Sequence, residues 1–162
     1  IAERADAVLA ALKAKDMAAL AGYVDPEKGL RFSPYTFVND TDLVFGADEL
    51  AALPGSTDLH EWGTFDGSGE PIQLTYDDYD ARFIYSLDFQ TFEDVGYNRV
   101  LKTGNTINNT AEFYPGSIIV EYHFPGSPTD YSGMDWQSLR LVFQETGGVW
   151  YLVGVVHDGW TI

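Results

Sequence analysis

The stretch SLRLVFQETGGVWYLVGVVH, residues 138–157, decides the fold. Two runs rich in β-branched, aromatic and other apolar residues flank Gly147-Gly148, a pair able to take the positive φ of a two-residue hairpin turn. Counting outward from that turn sets Phe143 opposite Leu152, Leu141 opposite Gly154 and Leu139 opposite Val156. Trp150 falls on the same, almost wholly apolar face, which the reading assigns to the core. The other face carries Ser138, Arg140, Val142 and Gln144 against His157, Val155, Val153 and Tyr151. It is apolar enough to need cover and polar enough to hold a site. A homodimer through the sheet, or the loop over residues 54–75, would provide that cover.

Upstream, the period of two extends over Tyr97–Thr103 and Ser117–Phe124, giving strands with turns at Gly104-Asn105 and Pro125-Gly126. Residues 2–24 instead repeat at helical spacing, with a break at Ala14-Lys15 where Asp16 is placed to cap a second helix. A short strand is expected over Leu30–Tyr35 and a short helix over Gly46–Leu53. Residues 56–71 read mostly as loop, and Thr75 caps a helix carrying Tyr79 and Phe83. The fold class is therefore α+β: N-terminal helices packed on a curved, cone-like C-terminal antiparallel sheet, as one domain over residues 1–162.

Composition narrows the function. The 162 residues carry a formal charge of −16, which repels phosphate backbones and anionic lipid surfaces and argues against nucleic-acid partners, while leaving cationic ligands and basic segments open. There is no cysteine, so thiolate catalysis, Cys-ligated zinc and disulfides are excluded. No apolar run is long enough to span a bilayer. No cofactor or metal is called for: the sequence has no Gly-rich phosphate loop, no nucleophile elbow and no His pair at metal-ligand spacing. Asp66-Gly67-Ser68-Gly69-Glu70, with Asp77 beyond it, imitates half a calcium loop, but Pro71 stands where that loop needs glycine. It reads as a polar turn.

Helices first, then a long meander of strands to the C-terminus, resembles the nuclear-transport-factor-2-like, cystatin-like cone superfamily. Residues 11–20, ALKAKDMAAL, are similar to its first helices, and residues 148–157 to its last strand. Residues 31–35, 104–109, 121–126, 135–140 and 157–162 further resemble a group of exported bacterial proteins, often lipoproteins. That resemblance implies an extracytoplasmic location, with an anchor or leader removed from a chain that opens in mid-helix pattern at Ile1. It implies no activity, since the superfamily holds isomerases, dehydratases, cyclases and many non-catalytic members.

The candidate ligand-binding residues are His123, Arg140, Tyr151 and His157, with Glu121 and Trp136 at the rim. Arg140, Tyr151 and His157 share the mixed face in the expected register, and strand parity lets Glu121 and His123 join them. A His, a carboxylate and an Arg together suit a small polar ligand, with the Arg selecting a carboxylate or other anion. The reading favours non-catalytic binding of a small molecule or a protein partner. The alternatives are a cone-fold lyase or isomerase with a His base, and a structural or oligomerising module.

Overall fold

Apolar alternation builds a six-stranded sheet in the computed structural model, which describes residues 1–127 and 131–161. Helix α1, Ala2–Ala14, ends where Lys15 takes a left-handed conformation (φ 51°). Helix α2, Met17–Ala21, starts on the Asp16 carboxylate, which accepts from the Ala19 N–H at 3.0 Å, as the sequence predicts. Strand β1 is Leu30–Ser33 and β2 is Val44–Phe45. A single 3-10 turn, Leu50–Ala52, stands in the region expected to be a short helix.

Residues 56–71 hold more order than expected. Strand β3, His60–Thr64, and β4, Pro71–Leu74, form a separate hairpin that buries Trp62 and Ile72. Its turn is the segment Asp66–Glu70, closed by Phe65 N–H to the Glu70 carbonyl at 2.8 Å. Asp77 is not turned toward that loop. It lies in helix α3, Tyr76–Phe83, where its carboxylate bonds Lys15 Nζ and the Gly55 N–H, each at 2.9 Å. Thr75 caps α3 by accepting from the Asp78 N–H at 3.2 Å.

Strand β5 is Asp94–Tyr97, so the strand expected over Tyr97–Thr103 lies earlier, and residues 98–103 form an irregular covering segment. Helix α4, Thr110–Phe113, is too short to have been visible in the sequence. Strands β6 (Ile118–Phe124), β7 (Gln137–Thr146) and β8 (Val149–Gly159) follow the expected pattern closely. The order across the sheet is β2-β1-β8-β7-β6-β5, antiparallel except that β1 runs parallel to β8. The C-terminal strand is thus interior and buried along most of its length.

The turn at Gly147-Gly148 forms as expected, both residues having positive φ (59° and 80°). The register beyond it slips by one. Phe143 does face Leu152, but Val142 faces Gly154, Leu141 faces Val155, Arg140 faces Val156, Leu139 faces His157 and Ser138 faces Asp158. Val153 is the extra residue of a β-bulge. The slip moves Val155 into the main core and takes Val156 out of it, and it reverses the faces assigned to His157 and Asp158.

The main core joins Leu139, Leu141, Phe143, Leu152 and Val155 to apolar residues of α1, α2, α3 and the β3–β4 hairpin. Trp62 stacks on Tyr79 with ring centroids 3.9 Å apart. Trp150 is half-buried at its margin. On the opposite face Val142, Val153 and Val156 pack under Val38 and Tyr114, with Phe113 and Ile119 beside them. The cover over this face is therefore residues 36–39 and 109–117 of the same chain, not the 54–75 loop, and Val142, Val153 and Val156 are buried without a dimer. Asn109 ties the two covering segments together by bonding the Val38 N–H (2.7 Å) and carbonyl (3.0 Å).

Gly154 lies where this cover presses closest. A Cβ there would come 2.8 Å from the Tyr114 hydroxyl oxygen and 3.3 Å from the Val142 Cβ. Gly154→Ala should therefore destabilise the fold by about 1–3 kcal/mol through overpacking. In urea titrations, Tyr114→Phe in the same chain should recover part of that loss by removing the closest atom. An undiminished loss in the double variant would show that the bulge, not the hydroxyl, sets the requirement for glycine.

Candidate functional site

Three adjacent strands bring five polar side chains together on the covered face of the sheet. Glu121 of β6 sits opposite Arg140 of β7, and His123 sits opposite Ser138, which faces Asp158 of β8. All five are buried, Arg140 with 1% of its surface exposed. Arg140 donates from Nε to Glu121 Oε2 (3.1 Å), from Nη2 to Asp158 Oδ2 (2.8 Å) and from Nη1 to the Thr36 hydroxyl. Ser138 Oγ donates to Glu121 Oε1 (2.7 Å) and lies 2.8 Å from His123 Nδ1. Since the Ser138 proton goes to the carboxylate, His123 must donate from Nδ1, which leaves Nε2 as its bare nitrogen. The result is a continuous chain His123–Ser138–Glu121–Arg140–Asp158.

This chain holds structure together. Its single cation faces two carboxylates, so an additional anion has no free charge to meet, and the expected selection of a carboxylate ligand by Arg140 does not follow. Burial pushes Asp158 above the usual carboxylate range, with Arg140 pulling it back in part. Burial likewise lowers His123, against the opposing pull of Glu121. Glu121 and Arg140 line a cavity of about 240 Å³ with residues from 98–119, Tyr114 among them, whose buried hydroxyl has no hydrogen-bond partner among the described residues.

His157 and Trp136 belong to a different place. The register slip puts His157 on the main-core face, against Phe83 with ring centroids 5.6 Å apart. Its Nε2 lies 3.1 Å from Gln137 Oε1, which also accepts from the Ser86 hydroxyl. Both residues line a cleft of about 660 Å³ at the end of β7 and β8, walled by α3, the β3–β4 turn and the residues on either side of β7 and β8. Trp136 is buried between the two regions. One side of its surroundings is this cleft and another is His123, with ring centroids 5.9 Å apart. Tyr151 joins neither site. It pairs with Gln144, four residues along β7 from Arg140, a separation of about 13 Å at strand rise.

Two residues essential to these arrangements were not foreseen. They are Asp158 and Thr36, both bonded to Arg140 and neither among the candidates named from the sequence. In the cleft, Arg82 lies over the rings of Phe65 (4.7 Å) and Phe83 (5.3 Å), and Asp66, Asp135 and Trp160 complete the polar and aromatic lining.

Among known proteins, no family model and no curated protein matches the chain. Two solved structures do. A DUF4783 family protein from Bacteroides ovatus is 9% identical over 96% of this chain and 94% of its own, with a TM-score of 0.33. A designed NTF2-like protein is 11% identical over 94% of this chain and 91% of its own, again with a TM-score of 0.33. Neither lends this chain an activity.

Removing Arg140 leaves two carboxylates buried without a counter-charge. Arg140→Met should cost more than about 3 kcal/mol at pH 7, whereas Glu121→Gln should cost less because Arg140 keeps Asp158. In the Met variant Asp158 loses the guanidinium that opposes its burial, so its folded-state pKa rises further above the unfolded one and the deficit should shrink as the pH falls toward 4. Urea unfolding of both variants at pH 7 and pH 5 reads this ordering; equal losses at both pH values would contradict it.

His157 offers a second test. Burial pushes its pKa down from 6.5 to about 4, and the nearby Pro34 carbonyl only partly opposes that. Below pH 6.5 the unfolded chain gains a proton here that the folded chain refuses until about pH 4. This contribution is intact above pH 6.5 and lost on acidification, by ~3 kcal/mol at about 1.36 kcal/mol per pH unit. Asp80, pushed up to about 6 by burial, acts in the opposite direction. The informative quantity is therefore the stability difference between the wild type and His157→Gln, which should fall by that amount between pH 7 and pH 4.

Proposed function

We propose that this chain is a single nuclear-transport-factor-2-like domain over residues 1–162, acting outside the cytoplasm of a bacterium as a non-catalytic binder of a small molecule. The observation that carries the binding role is the cleft of about 660 Å³ at the end of β7 and β8. Its volume is that of a small-molecule site, and it combines aromatic walls with a few polar groups, the composition such sites use to hold and orient a ligand. Export rests on the resemblance of residues 31–35, 104–109, 121–126, 135–140 and 157–162 to exported bacterial proteins.

The chemistry of the histidines favours binding over lyase or isomerase action. A general base works best with a pKa near the operating pH. His157, the histidine of the cleft, is held at about 4, and His123 is buried with its Nδ1 proton committed to Ser138. The Glu121–Arg140–Asp158 ion group has its charges engaged with one another.

Ligand-observed NMR with a mixed library of small polar and aromatic molecules tests the reading. Ser68 is an exposed residue of the cleft lining. Hits should bind the wild type and lose binding in Ser68→Trp, which places a bulky ring in the cleft without touching the core. Hits that bind both proteins equally, or no hits at all, would overturn the assignment of the cleft.

A further inference from the structure

Resting on the cleft as the binding site, we infer that its ligand is a cationic amphipathic molecule: an alkylammonium or other amine carried on a compact apolar body. The argument begins with the walls. Trp136, Trp160, Phe65, Phe83 and Tyr35 line the cleft, and Trp160 is 44% exposed. Aromatic faces attract cations through their ring quadrupole, tryptophan most strongly. The protein already uses this attraction in the same place, since Arg82 is held over the rings of Phe65 and Phe83 at 4.7 and 5.3 Å.

Charge selects the sign. Asp66, in the β3–β4 turn, and Asp135, in the connection before β7, bring carboxylates to the cleft from two different loops. Asp135 accepts from the Ser127 N–H at 2.8 Å, which holds it below the usual carboxylate range and keeps it ionised. Arg82 is the single fixed cation of the lining among the described residues, and its guanidinium already faces rings. His157 is neutral at pH 7, so it neither repels a cation nor attracts an anion. An anionic ligand would meet an excess of negative charge here on a chain of net charge −16, whereas a cation would be steered toward it. The mixed aromatic and carboxylate lining also discriminates against a purely apolar molecule, which would bring no counter-charge to Asp66 and Asp135.

Choline and its neutral isostere 3,3-dimethylbutan-1-ol differ in charge at nearly constant shape, so calorimetric titration of the intact chain with both isolates the charge. Choline should bind at least about tenfold more tightly, and 500 mM NaCl should weaken it relative to 50 mM. Asp66→Asn keeps an acceptor for Thr161, which bonds Asp66 through its hydroxyl, and Trp160→Ala removes an exposed ring. Asp66→Asn should weaken choline about five- to tenfold while leaving the neutral isostere unchanged, and Trp160→Ala, which takes apolar contact from both probes, should weaken choline by a clearly larger factor than the isostere. Equal affinity for the two probes, or choline binding indifferent to both variants, overturns the inference. Neutral library molecules that bind in the cleft while choline does not would also overturn it, yet leave the binding role standing. Failure of choline and of every library molecule alike would remove both.

Discussion

One extra residue in β8 arranges the rest of the molecule. With Val153 bulged, the strand carries an odd residue between Leu152 and Gly154, and everything beyond it is turned to the face opposite the one simple alternation assigns. Val155 enters the main core and Val156 the covered outer face. Asp158, not His157, comes beside Arg140. The bulge thereby supplies the second carboxylate that lets a guanidinium be buried between three strands, and it releases a neutral histidine to the cleft. Without it the outer face would carry an imidazole beside Arg140, and the inner face a carboxylate against Phe83.

The buried ion group follows from that register and constrains the sheet in turn. A guanidinium offers five donors in a fixed plane, and here three of them reach Glu121, Asp158 and Thr36. Thr36 lies outside the sheet, in the segment after β1, so Arg140 also ties the cover to the strands. Burying such a group is not in itself a strong source of stability, because desolvation offsets most of the attraction. What it does provide is intolerance of alternatives: a register one residue off would strand the charge. The ion group and the bulge therefore specify each other.

The sequence made legible whatever local chemistry controls. The Asp16 and Thr75 caps, the break at Lys15, the Gly147-Gly148 turn and strands β6 to β8 all follow from short-range preferences. The β3–β4 hairpin was hidden because its strands have only five and four residues, Gly63 interrupts the first, and Gly67 and Gly69 fill the turn between them, so the whole stretch reads as loop. The bulge did leave a trace. Gly154 interrupts an otherwise β-branched strand, and a glycine inside a strand marks a bulge or a close approach of another group. Here it marks both, with the Tyr114 hydroxyl directly above it. Counting alternation straight through Gly154 joined His157 to Arg140 and separated Asp158 from it. Glu121, His123 and Arg140 were correctly grouped because their pairings lie on β6 and β7, which carry no bulge between them. Tyr151 was grouped by parity alone, and parity says nothing about distance along a strand.

The two faces of the sheet thus carry polarity of different kinds. On the outer face the charged groups are matched to one another, buried and cross-strand, and the covering segments exclude solvent from them. At the strand ends the polar groups belong to loops, are matched only in part, and stand among aromatic rings that remain open to solvent. Recognition needs groups whose partners are still to come. A histidine bonded to Gln137 and kept neutral by burial does not compete for a ligand's charge, and Trp136, buried beside His123, gives the cleft an aromatic wall. The matched ion group and the carboxylates at the mouth are complementary: the first has its charges satisfied within the sheet, and the second leaves a counter-charge for a ligand to supply.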